Sequence, residues 1–440
     1  MKRLIFITFI LLSSCSFDNK TGIWSNNDNT ISRKNNKFKD FKILNTEQKT
    51  FNEEVEPLSN FKPIIDPVKI NLKWLDEHYR GSNNIDNFTY KDLNEIIFKS
   101  KKLSRYNVSN KILFDGDNIF INDQKGNIIN YSVEKQKIVY KYNFYNKNFK
   151  KIKKNLKMII DKNVIYIVDN IGYLYALDYQ KEKLLWAQNY KIPFRSNIKI
   201  TKNYLLAADQ NNALYIINKK DGIRERFIPT EEKILKNKFI NSLALSESSF
   251  LFLNTYGSLY SLNKSTARIN WFLNLNQSLN LDGSSLFDSK EIIIHKKKII
   301  ISTNPFLFIL DSDNGAILSK IPIRSIIRPI VSGQNIFLIT ENNLLVCLNI
   351  NTGKINYSFN IGNKIAEFLN TKKKSINIKF LSLVNENLFI FLDNSYVVKF
   401  YTNGSIKKID KLPVNMKTSP IFINDSILYL DKKNKLIILN

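Results

Sequence analysis

The residue types able to do chemistry are few, and their spacing argues against most of it. The run Asp311-Ser312-Asp313-Asn314-Gly315 sets out side-chain oxygens in the manner of a calcium loop. Such a loop needs a bidentate glutamate at its twelfth position. That position is Pro322 here, and the same place in neighbouring copies of the pattern is a plain turn, so the run reads as a turn. Two histidines, His78 and His295, are too few for a multi-histidine metal centre, and His295 beside Lys296–Lys298 reads as part of a solvated loop. No Ser/His/Asp set sits near a nucleophile elbow, and no glycine-rich loop could cradle a phosphate. Two cysteines exclude a disulfide framework and a cysteine-rich zinc site. Cys347 lies in the apolar run LLVCLNI and reads as a buried, unpaired thiol. These residues give no catalytic centre, no metal site and no cofactor site.

The other cysteine has a different setting. Lys2 and Arg3 precede an apolar stretch, Leu4–Leu12, that is too short to span about 30 Å of hydrocarbon but suits a signal peptide. It ends in Leu12-Ser13-Ser14-Cys15, which resembles the bacterial lipobox. That resemblance implies that residues 1–14 are removed and that Cys15 becomes an acylated first residue. Several acyl chains, at about 0.8 kcal/mol per buried methylene, make such an anchor permanent. Ser16, rather than Asp, implies sorting to the outer membrane, on its periplasmic face. An ordinary signal peptide with a chance cysteine is the alternative.

The chain has 440 residues, with 66 Lys+Arg against 39 Asp+Glu and a formal charge of +27. A hydrophobic fraction of 43%, with 30 Phe and 20 Tyr, excludes a wholly disordered chain, and 13 Gly with 10 Pro exclude collagen-like scaffolds. Only 10 of the basic residues are Arg; Lys-rich sequence beside abundant Asn, Ile, Phe and Tyr is what AT-rich coding would produce. The basic runs Lys147–Lys157, Lys296–Lys298 and Lys372–Lys374 read as a solvated fringe, with attraction to anionic surfaces as the sharper alternative; an exported chain has no nucleic acid as its partner. From Ser16 to about Lys62 the sequence is polar and aperiodic, and Pro57, Pro63 and Pro67 follow. Residues 15–75 therefore read as a flexible, lipid-anchored tether, and 76–440 as the folded body.

The body repeats. Residues 163–188, 249–273 and 335–359 each carry a β-rich run, a polar turn, a second run, an Asn/Asp turn and a third run. Aligned on the residue three after the first turn's glycine or its equivalent, the copies fall at Ile129, Tyr175, Tyr215, Tyr260, Phe308, Val346, Val398 and Ile437, spaced 38 to 52 residues apart. Four up-and-down strands with turns consume about 40–45 residues. Such sheets stack radially into a β-propeller, here of eight four-stranded antiparallel blades in an all-β fold. The last copy stops at Asn440 after three strands, and an open edge invites aggregation. Asn94–Leu103 is expected to supply the missing outer strand.

The stretch Ala176-Leu177-Asp178 through Leu185-Trp186 resembles the pyrroloquinoline-quinone-like propeller repeat, whose tryptophan packs between adjacent sheets. Trp271 falls in register, and Tyr357 substitutes in another copy. Lipobox, tether and eight such repeats together are similar to the BamB-like outer-membrane assembly lipoproteins. That resemblance implies a non-enzymatic periplasmic scaffold that binds a BamA-like assembly protein, as a monomer within a complex, and is held to outer-membrane lipid through Cys15. It also draws attention to Ile192, Phe194 and Arg195, which match by type and order a partner-contacting loop of that family. Ile321-Pro322-Ile323-Arg324-Ser325 repeats the pattern three copies later, so a recurrent corner between blades is equally open. Quinone-dependent dehydrogenases share the repeat and are the enzyme alternative, although the vicinal cysteine pair common among them is absent. A glycan- or lipid-binding propeller is another alternative, as is a plain tether.

Overall fold

The computed structural model describes residues 50–231, 240–276, 287–372 and 376–440, together with two short strands nearer the N-terminus. Those two, Ser16–Phe17 and Trp24–Ser25, pair antiparallel within a unit that ends at Lys49. Cys15, the signal segment, and Lys373 and Lys374 of one basic run lie outside the described residues.

Residues 50–440 form eight sheets arranged as the blades of a propeller, each built on four antiparallel strands. The innermost strands are Leu113–Asp115, Leu156–Asp161, Lys199–Ile200, Ser242–Leu245, Ile293–His295, Ile330–Ser332, Ile378–Val384 and Ile421–Ile423, in blades 1 to 8. All eight aligned residues fall on the third strand of a blade. In blade 1 the third strand, Asn127–Ser132, is buried along its whole length, whereas the outer strand, Lys137–Asn143, is largely open to solvent. Radial packing explains the difference, because neighbouring blades cover both faces of the middle strands.

The turns are set by side-chain acceptors. Asp169 Oδ1 receives the backbone N–H groups of Ile171, Gly172 and Tyr173, each at 2.8 Å, and Asp431 closes the equivalent turn of blade 8 through Lys433 and Lys435. Asp311 spends its carboxylate in the same way, accepting from the N–H groups of Asp313 and Asn314. The apparent calcium loop is therefore a turn, as its spacing indicates.

The repeat tryptophans lock one blade to the next. Trp186 in blade 2 donates from Nε1 to Lys219 O at 3.0 Å and lies over Gly222 of blade 3. Trp271 in blade 4 does the same to Ser312 O and Gly315 of blade 5, and Tyr357 in blade 6 to Thr402 O beside Gly404 of blade 7. Gly315 has φ +75° and would place a Cβ 2.6 Å from the Trp271 ring, so both its backbone and its lack of a side chain are required.

The ring closes as the truncated last copy demands. Ile96–Lys102 pairs antiparallel with Lys435–Leu439 and forms the outer strand of blade 8. Asn434 reinforces this closure by donating its side-chain amide to Ser104 O and Tyr106 O. Cys347 is fully buried in blade 6, and burial pushes its thiol up to about 12.

The tether expectation fails for residues 51–75. Residues from Phe51 onward are bound to the ring: Phe51 N–H reaches Pro322 O, Val55 bridges Ser358, and Asn335 donates to Ile64 O. Asn and Ser side chains on the blades supply partners that polar composition alone does not reveal. His295 is likewise no loop residue. It ends the inner strand of blade 5, is mostly buried, and lies 3.2 Å from Gly333 O.

Candidate functional site

The stretch Lys73–Phe88 runs once around the central channel and touches the inner strands in order. Lys73–Trp74 pairs with Phe114–Asp115 of blade 1. Asp76 bridges Ile159 of blade 2, and Leu245 N–H of blade 4 donates to Gly81 O. Asn83 donates from one amide nitrogen to both Leu243 O and Ile292 O, in blades 4 and 5. Asn84 makes a reciprocal pair with Val331 of blade 6, and Asn87–Phe88 pairs in parallel with Leu383–Val384 of blade 7. Phe88 stacks on Phe422 of blade 8 at 5.3 Å. Innermost strands of a propeller expose backbone groups to the channel, and a buried backbone group needs a partner. The amide-rich Ser82-Asn83-Asn84 and Asn87 provide those partners, which is why so polar a segment is buried.

Charge follows the same path. Lys199, on the inner strand of blade 3, has no exposed side-chain surface; its ammonium lies 2.6 Å from Asp76 Oδ2 and 3.0 Å from Arg80 O. Burial lowers its pKa, and Asp76 opposes the shift. Glu77 faces Lys157 of blade 2 at 3.6 Å and accepts the N–H of Met158 through its other oxygen. Lys157 thus belongs to the channel, not to a solvated fringe.

On the face carrying the connections between blades, the channel opens into a funnel of about 270 Å³, lined by His78, Lys111, Glu291 and Arg328 among apolar walls that include Ile112, Phe380 and Ile421. Arg328 Nη1 donates to His78 Nδ1 and His78 O, each at 3.3 Å. Burial, then Lys111 and Arg328, hold the imidazole well below its ordinary range, so it is neutral and serves as an acceptor. Burial and then Arg328 bring the Lys111 ammonium down to about 8. Burial resists ionisation of Glu291, but Arg328 and Lys111 outweigh it and hold this carboxyl below its usual range. The opposite face carries a second recess, lined by Arg80, Asp86, Lys264 and His295.

The three residues singled out as partner contacts separate. Phe194 is 5% exposed and packs edge-on against Tyr190 and Tyr215, at 5.7 and 5.6 Å, in the core between blades 2 and 3. It bridges Asp209, as Ser325 bridges Thr340 in blade 6 and Met416 bridges Asp431 in blade 8. The matching Ile323 is fully buried. The pattern is a recurrent corner that docks each connection onto the following blade, and Phe194 is not an exposed contact. Ile192 and Arg195 flank it, each half-buried. The sequence reading missed Asp76, Lys111, Lys199 and Arg328. The signal available for the first was a polar stretch without repeat character placed just before blade 1.

The donor set does not suit a quinone–calcium centre. Among the described residues no three His, Cys, Asp or Glu side chains converge, and the chain's own residues 73–88 occupy the channel. What the structure defines is an eight-bladed β-propeller with its channel threaded by its own N-terminal flank. Residues 146–359 match the family model described as outer membrane protein assembly factor BamB. The propeller is similar to that of BamB, with repeats of the pyrroloquinoline-quinone type. BamB from Moraxella catarrhalis superimposes with a TM-score of 0.60 at 12% identity, covering 79% of this chain and 99% of that one. Enzymes share the architecture: a quinohemoprotein alcohol dehydrogenase from Pseudomonas putida gives 0.61 at 6% identity over 84% of this chain and 80% of its own. A europium-containing methanol dehydrogenase gives 0.57 at 9% identity, over 83% and 89%. No curated protein matches the sequence. Among the described residues no helix is long and apolar enough to cross a membrane.

Proposed function

We propose that the protein is a non-enzymatic scaffold of outer-membrane β-barrel assembly, held by an acylated Cys15 to the periplasmic face of that membrane and binding a BamA-like partner through the connections on one rim. The observation that carries this reading is the threaded channel. It puts chain where a propeller enzyme holds its cofactor, and leaves loops on a rigid ring as the surface for function. The match of residues 146–359 to the BamB model supports the assembly role. The half-buried Ile192 and Arg195 are the candidate contacts, with Phe194 holding their loop from beneath.

Affinity purification of the full lipoprotein from detergent-solubilised membranes tests the reading. A BamA-like barrel protein is expected in the eluate, at lower recovery from Ile192→Asp with Arg195→Glu. Absence of any barrel-assembly protein overturns the function, and unchanged recovery from the double variant overturns the site.

A further inference from the structure

The inner wall of the ring, or the connection leading into it, carries a cation in blades 1, 2, 3, 5, 6 and 7, at Lys111, Lys157, Lys199, Lys290, Arg328 and Lys379. Three of them have a direct carboxylate. Asp76 and Glu77, carried in by the threaded segment, serve Lys199 and Lys157, and Asp393 lies 2.5 Å from Lys379. Lys111 and Arg328 have none within 4 Å among the described residues, and both line the funnel. Arg328 is anchored by His78 through Nη1 alone, which fixes the fork and leaves Nη2 to face a ligand. The imidazole of His78 is the acceptor of Arg328, and Glu291, 3.6 Å from that ring, is a carboxylate whose charge both cations favour; even so, Lys111, Lys290, Arg328 and Lys379 outnumber Glu77 and Glu291 in the funnel's lining. Cations that outnumber the carboxylates of a recess repel one another, and an oxyanion between them relieves the repulsion through charge-assisted hydrogen bonds.

We propose that this funnel is a binding site for a small oxyanion, a phosphate or phosphate-like group held between Arg328 and Lys111 above the His78 turn. The volume of about 270 Å³ and the apolar wall of Ile112, Phe380 and Ile421 leave room for an apolar substituent on that group. The anion is therefore either free in solution or the head of a larger molecule, and the same chemistry serves both. The funnel opens on the same face as the partner rim, but neither Ile192 nor Arg195 lines it, so the two sites are tested by separate variants.

The test is titration calorimetry on the full chain in detergent, in a chloride buffer at pH 7, with inorganic phosphate and with phenyl phosphate as separate probes. Saturable binding of at least one probe is expected, weakened about tenfold or more by Arg328→Gln and by Lys111→Gln. Lys297→Gln, whose exposed ammonium pairs with Asp313 outside the funnel, is expected to bind within about twofold of the unaltered chain. Tighter binding of phenyl phosphate assigns the site to a head group on a larger molecule, and equal binding assigns it to the free ion. Removing Lys111 relieves repulsion, so Lys111→Gln is expected to melt no lower than the unaltered chain without phosphate, and to lose the phosphate-dependent rise in melting temperature. No saturable heat from either probe up to about 20 mM, or binding indifferent to both substitutions, overturns the proposal.

Discussion

Replacing Asp76 with alanine should strand the Lys199 ammonium inside the ring. The side chain of Lys199 is fully buried, and its remaining partner is one carbonyl, Arg80 O at 3.0 Å. Removing one member of a buried ion pair costs about 3–5 kcal/mol, because the other charge is left uncompensated. His78 N–H also loses its acceptor, Asp76 Oδ1 at 2.8 Å, which adds about 1 kcal/mol. Asp76→Ala with Lys199→Met removes both charges and should recover most of the loss, to within about 2 kcal/mol of the unaltered protein. Urea unfolding followed by tryptophan emission measures this, with Trp74 two residues away as a buried reporter. The pH dependence supplies an independent sign. Burial already lowers the Lys199 pKa against the pull of Asp76, and without that carboxylate it falls further. Between the folded value and the unfolded lysine near ~10.4, the unfolded chain binds more protons, so stability rises with pH. The deficit of Asp76→Ala should therefore shrink as pH rises from about 7 towards about 10. A single variant that loses under about 1 kcal/mol, a double variant as unstable as the single, or a deficit that widens with pH would each refute the argument.

Three further outcomes follow from the packing. Phe194→Ala empties a core site between blades 2 and 3 and should cost about 3–5 kcal/mol in denaturant unfolding. Gly315→Ala forces a Cβ against Trp271 at φ +75° and should cost about 1–3 kcal/mol, with a shift in tryptophan emission. Asn434→Ala removes two amide hydrogen bonds and places alanine at φ +60°, so about 2–3 kcal/mol is expected. Hydrogen exchange should then quicken first in Ile96–Lys102, the strand that closes the ring.

What the sequence displays depends on how local its cause is. Turn acceptors such as Asp169, inter-blade tryptophans such as Trp186, and the three-strand last copy all act within one repeat or between neighbours, and their spacing exposes both the blade count and the closure. The circuit of residues 73–88 has no such signature. Its partners are backbone groups of blades lying up to some 300 residues further along the chain, as when Asn87 meets Leu383. Its Asn, Asp and Arg content reads as solvated until a channel is there to receive it. Lys111 and Arg328 are isolated in sequence for the same reason: each ends a connection, and only ring closure brings them to one funnel. Phe194 misled in the other direction, because an aromatic beside arginine fits an interface hot spot and a buried corner equally well until burial is known.

A propeller of eight blades leaves an axial hole lined by unpaired backbone and by whatever side chains the inner strands project. Dehydrogenases of this architecture and this chain share the ring, and a shared ring carries no shared chemistry. The difference lies in what satisfies the hole. Here Asn83 and Asn84 pair the backbone of blades 4, 5 and 6, and Asp76 and Glu77 meet the cations of blades 3 and 2. That segment brings no carboxylate within 4 Å of Lys111 or Arg328, which share a single farther one, Glu291, at the funnel's mouth. A segment recruited only to fill space would be best served by covering those two charges as well, since an unpaired cation in a recess opposes folding. Their exposure to one shared cavity is therefore the feature of the channel that packing alone does not account for, and a bound oxyanion is the simplest thing that would.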